Sequence, residues 1–137
     1  MVNRTEIKDS RGKLVAYKIG GNAPQGLSAW SAPEDYLQTL VWNYPAGKRL
    51  AAHAHRNVPR RVTHTQEAVV VLAGRLQANV YDAERRLAGS IDVGRGEVLV
   101  LLEGGHGYEI LEDGTQVVEI KNGPYPGAEA DRVRFEG

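Results

Sequence analysis

At 137 residues the chain has the length of one domain, and surface scaling gives roughly 7,000 Å² of folded surface, enough burial for one core without staples. Seventeen Lys plus Arg balance seventeen Asp plus Glu, which argues against a partner that is a nucleic-acid backbone. The absence of cysteine excludes disulfides, thiolate metal sites, iron–sulfur clusters and cysteine nucleophiles. The opening Met-Val-Asn-Arg-Thr-Glu has no apolar signal region and no apolar run reaches transmembrane length, so the expectation is a soluble, cytoplasmic domain spanning residues 1–137, with no membrane partner.

In chain order the pattern is short strands punctuated by glycine. Residues 5–19 read as a strand pair around the turn signal Ser10-Arg11-Gly12, the second strand covering 13–19. Residues 36–44 (Y-L-Q-T-L-V-W-N-Y) are rich in aromatic and β-favouring types and stop at Pro45-Ala46-Gly47; Tyr36, Trp42 and Tyr44 share one parity and read as core. A strand over 49–55 and a basic loop over 56–61 follow. Strands at 65–72 and 75–82 flank Ala73-Gly74, which reads as a hairpin turn. Residues 86–93, 97–102, 108–111 and 115–121 complete the series, and Pro124–Gly137 reads as a loosely packed tail. Helix is scarce. Short, evenly spaced strands of this kind indicate an all-β sandwich or barrel.

The chemistry-bearing residues are histidines and one glutamate. On a strand, residues i and i+2 project to the same face, so His53 and His55 aim at one point. Glu67 shares the parity of Val69 and Val71, and follows them inward if they line the interior. His106 comes after Gly104-Gly105, where the backbone turns freely, and shares parity with Tyr108 and Ile110. Three imidazoles and one carboxylate make a shell for one divalent transition metal ion (Mn, Fe, Co, Ni or Zn), with positions left open for water or substrate. Glu119 and Lys121 alternate against Val118 and Ile120 and read as solvent-facing.

The same residues resemble a family. Gly47 followed by His53-Ala54-His55, then Glu67 and Gly74, is similar to the first cupin motif, and Gly96 followed by Leu102-Glu103-Gly104-Gly105-His106 is similar to the second. The ending Val118–Tyr125 looks like small bacterial single-domain cupins without an assigned reaction. The resemblance implies a double-stranded β-helix, the cupin jelly-roll barrel, with the metal motifs within 47–106 and with His53, His55, Glu67 and His106 as ligands. The chain departs from the pattern in four places: eleven residues separate His55 from Glu67, Leu102 stands for the usual proline, Gly-Gly-His is one residue short, and Ile110 stands for the usual asparagine.

A shell of three neutral histidines, one carboxylate and a divalent ion sums to about +1, which favours an anionic ligand or ionises bound water. The expected partner is therefore a small anionic or sugar-like molecule bordered by Tyr108, with Arg60 and Arg61 of the basic loop able to clamp a carboxylate. Two functions compete: a metalloenzyme of isomerase, decarboxylase or dioxygenase type, and a binding or sensing module whose metal anchors a ligand without turnover. A metal-free sugar isomerase with a histidine base is a weaker third, since one base would not need the His-x-His pair. No residue stands out as an acid–base catalyst. The strand pair at 5–19 has no obvious home inside a small barrel, and pairing it with a neighbour's edge gives a homodimer.

Overall fold

The computed structural model describes residues 4–137. Ten strands carry the architecture: β1 (Arg4–Lys8), β2 (Leu14–Ile19), β3 (Gly26–Ala29), β4 (Leu40–Asn43), β5 (Glu67–Ala73), β6 (Arg75–Tyr81), β7 (Leu87–Gly94), β8 (Val98–Leu101), β9 (Gly105–Ile110) and β10 (Gln116–Lys121), with one helical turn, α1 (Ala128–Asp131). All pairings are antiparallel, in a five-stranded sheet of order β1-β2-β8-β5-β10, a three-stranded sheet β7-β6-β9 and the hairpin β3-β4. The all-β expectation therefore holds; none of the three sheets closes into a barrel.

Two apolar layers fix how the sheets lie. Val15, Val69, Val71, Leu99 and Leu101 of the large sheet pack with Leu76, Ala78, Val80 and Val93 of the small one. On the other face of the large sheet, Tyr17, Ala68, Val100 and Leu102 pack against Trp30, with Leu37 and Val41 beside them. The central strands are thus covered on both faces. That explains why β5 and β8 read as unbroken apolar runs, Ala68–Leu72 and Val98–Leu101, rather than as alternation.

Gly74 is not a hairpin. β5 pairs with β8 and β10, while β6 pairs with β7 and β9, so this single residue carries the chain from one sheet to the other. It does so at φ 77°, with Thr115 so close that a Cβ would lie 2.7 Å from the Thr115 Cα. Only glycine meets both demands.

The strand expected over 49–55 is absent. Residues 44–66 run without strand; Tyr44 is half-buried, 45–65 are exposed throughout, and burial resumes at Gln66. Alanine and arginine dominate 49–61, Pro59 lacks an N–H, and few large apolar groups repay the ordering of the backbone. The strand expected over 36–44 shortens to β4, whose Trp42 is 62% exposed rather than core.

On the same side the sandwich stands open. β9 and β10 each pair on one edge only. Ile110, in register with buried Leu76, is 59% exposed. The accessible surface is 9739 Å², well above the roughly 7,000 Å² of a closed chain of this mass.

Candidate functional site

The opening between β5–β10 and β6–β9 forms a cleft of about 870 Å³. Glu67, the first residue of β5, stands opposite Leu101 of β8 and Lys121 of β10. It is held in place from the residue before it. The buried Gln66 side chain accepts hydrogen bonds from the backbone N–H groups of Tyr36 (2.8 Å) and Leu37 (3.0 Å), and its own backbone N–H donates to Asn122 Oδ1 (2.7 Å). From the facing sheet, His106 and Tyr108 stand in register with the buried Val80 and Ala78 of β6, so both point between the sheets. The corner that delivers them needs Gly104, at φ 81°, where a Cβ would lie 2.0 Å from the Tyr81 carbonyl oxygen.

These three side chains meet. His106 Nε2 lies 3.4 Å from Glu67 Oε2, and the Tyr108 hydroxyl donates to Glu67 Oε1 at 3.3 Å. Glu119 on β10 approaches the same carboxylate. Burial works to raise the Glu67 carboxyl, but the hydrogen bond and charge of His106, with hydrogen bonds from Glu119 and Tyr108, outweigh it and hold Glu67 below the usual carboxylate range. Glu119 moves the other way: burial, then the hydrogen bond and charge of Glu67, raise it. Two neighbouring carboxyls pushed apart in this way differ in role, Glu67 giving up its proton more readily than a free glutamate and Glu119 less readily. Burial and the Glu67 charge push the Tyr108 phenol up, so it stays a neutral donor.

The other expected site residues lie elsewhere. His53 and His55 sit on the exposed 44–66 segment, ring centroids 5.1 Å apart and edge to face, with His53 Nδ1 3.3 Å from the Ala51 carbonyl oxygen. Arg60 and Arg61 lie on the same segment and do not line the cleft. Among the described residues, no group of three or more His, Asp or Glu side chains is arranged to hold a metal ion. The four expected ligands are thus divided into two pairs, Glu67 with His106 and His53 with His55. In this arrangement they do not fit a divalent ion.

Two residues read as solvent-facing line the cleft instead, Glu119 and Lys121. The register explains it: Lys121 pairs with Glu67 and Glu119 with Val69, so they share the inward face of β5, and the apolar Val118 and Ile120 take the outer one. Parity alone named the two faces of this strand correctly but could not say which was inward. The cationic side of the cleft comes from Lys121 and from Arg85, Arg132 and Arg134, supplied by the β6–β7 turn and the tail.

The described residues include no helix long and apolar enough to cross a membrane. No protein-family model matches this chain, and no curated protein or solved structure matches it either.

Proposed function

We propose that this protein binds a small polar or anionic organic molecule in the cleft between β9 and β10. The observation that carries this reading is the convergence of the His106 imidazole and the Tyr108 hydroxyl on the buried Glu67 carboxylate, at 3.4 and 3.3 Å from its two oxygens, on the cleft wall. A buried carboxylate is retained where partners satisfy it, and here the partners face a space large enough for a metabolite of several carbons. The chemistry available is hydrogen bonding to a hydroxyl or carboxylate, and proton exchange through an imidazole oriented by a carboxylate. Whether a reaction follows divides the reading between a cytoplasmic enzyme and a binding or sensing module. Both use the same residues.

We further propose that the chain is a cupin jelly roll. The motif spacing supports this, as does the approach of Glu67 and His106, the carboxylate of one motif and the histidine of the other. A divalent ion held by His53, His55, Glu67 and His106 is the second reading, favoured by the existence of both donor pairs. It requires the 44–63 segment to fold against β9. The reach is there: the eight residue steps from His55 to Thr63 span up to roughly 26 Å, and Thr63 is tied to the Tyr36 hydroxyl at 3.0 Å. No chemical step is assigned to that ion.

Calorimetric titration with lactate, malonate and xylitol tests the cleft. At least one probe is expected to bind, and Glu67→Gln combined with His106→Ala is expected to weaken it at least tenfold. Absence of binding by all three at millimolar concentration, or binding indifferent to both substitutions, overturns the reading. Elemental analysis of protein purified without chelator tests the second reading, with close to one transition ion per chain expected and none after His53→Ala with His55→Ala.

A further inference from the structure

The C-terminal tail does not pack loosely. Two side chains hang it across the cleft. Asp131, at the end of α1, is 15% exposed and presents its two carboxylate oxygens to different donors: the Thr65 hydroxyl lies 3.4 Å from Oδ1 and the Lys121 ammonium 3.5 Å from Oδ2. Phe135 rests beside Gly105, where a Cβ would stand 2.6 Å from the ring, with its ring edge to face with Tyr81 at 5.1 Å and the Arg85 guanidinium 5.4 Å from its centre. Between these anchors, Arg132, Val133 and Arg134 are exposed. A single helical turn has little stability of its own, so the strap is a segment that opens locally at low free energy.

Lys121 is the cation around which this arrangement is built. Its side chain is 25% exposed, whereas Arg85, Arg132 and Arg134 are exposed. Besides Asp131 it faces Glu119 Oε1 at 3.8 Å and lies 5.0 Å from the centre of the Tyr125 ring. It pairs in register with Glu67, so a molecule whose carboxylate sat at Lys121 would extend its other end toward Glu67, His106 and Tyr108. Those groups suit a neutral hydroxyl, which can donate to Glu67 and accept from Tyr108. A second carboxylate there would meet Glu67 and Glu119 at close range, an unfavourable like-charge contact.

We propose that Lys121 and Thr65 form the carboxylate subsite of the cleft, that Asp131 of the strap fills it as an internal ligand, and that a small hydroxy acid displaces Asp131 and lifts the strap. This rests on the cleft being the binding site, and it names the ligand class. A tethered group competes at an effective concentration in the millimolar range, so removing Asp131 strengthens the binding of a weak free carboxylate by about tenfold.

The experiment is a titration of the full chain with lactate, with glycerol as the neutral probe and malonate as the doubly charged one, followed by calorimetry and by hydrogen exchange of residues 128–137. Lactate is expected to bind Asp131→Asn about tenfold more tightly than the wild type and Lys121→Gln at least tenfold more weakly. Phe135→Ala, which loosens the second anchor only, is expected to move affinity in the direction of Asp131→Asn. Saturating lactate is expected to speed exchange of 128–137 in the wild type, and malonate and glycerol to bind more weakly than lactate. Equal lactate affinity in the wild type, Asp131→Asn and Lys121→Gln overturns the subsite, as does strap exchange unchanged at saturation. If that indifference accompanies loss of binding in His106→Ala, the subsite falls and the cleft stands. If no probe binds any form, both fall.

Discussion

Glu67 is the residue on which the site turns, because it is a carboxylate buried to 6% exposure with its oxygens shared among His106, Tyr108 and Glu119. Its lowered value contributes stability that is present above the unfolded carboxylate range and is lost as pH falls through the folded one. Glu119, raised, has the opposite sign: its contribution is full below the unfolded value and is lost as pH rises through the folded one. At neutral pH Glu119 is therefore a net burden on the fold, a small one because half of its side chain meets water. Glu119→Gln is expected to raise Tm at pH 7 by up to about 2 °C, and thermal melts from pH 3 to 8 should show that gain shrinking as the pH drops below the carboxylate range. Glu67→Gln is expected to lower Tm at pH 7, and that loss should shrink in acid. Sequence parity aimed Glu67 inward with Val69 and Val71 and put Tyr108 on the same strand face as His106, while the approach of Glu67 to His106 was implied only by the cupin resemblance. It missed Glu119 and Lys121 because the chain puts valine and isoleucine on the outer face of β10, where nothing buries them.

Glycine corners connect the elements, and they were the most legible feature of the chain. Gly74 and Gly104 both combine a positive φ with a neighbour too close for a side chain. Gly104→Ala is expected to destabilise by about 2 kcal/mol or more, measurable as a shift of the urea midpoint, whereas Gly114→Ala has φ 76° but open space around it and should lose less. What sequence could not supply was pairing. Ala73-Gly74 reads as a hairpin locally, yet each flanking strand finds better apolar partners in a different sheet. The 49–55 segment has the His-x-His alternation of a strand but too little apolar surface to hold one by itself. Limited trypsin digestion is accordingly expected to cut first after Arg56, Arg60 or Arg61. Zinc or nickel ions slow that cutting only if the segment folds onto β9, so unchanged cutting with saturating metal would count against the four-ligand reading.

At the scale of the whole molecule, surface and edges tell the same story. The 9739 Å² of accessible surface arises where β9 and β10 leave the sandwich open and where 44–66 runs outside it. The free edge of β1 and exposed Leu27, Leu40 and Trp42 on the β3–β4 hairpin offer cover for a second copy, and we propose the homodimer on that basis. Sedimentation velocity at high micromolar concentration is expected to give a dimer, and a monomer there would remove it. All of this surrounds one claim, that the Glu67–His106–Tyr108 cleft takes a small polar molecule. The most direct measurement is an amide chemical-shift map during titration with lactate. Shifts concentrated on Glu67, Gly105–Ile110 and Gln116–Lys121 are expected, and their absence, or a map centred on residues 49–61, would contradict it.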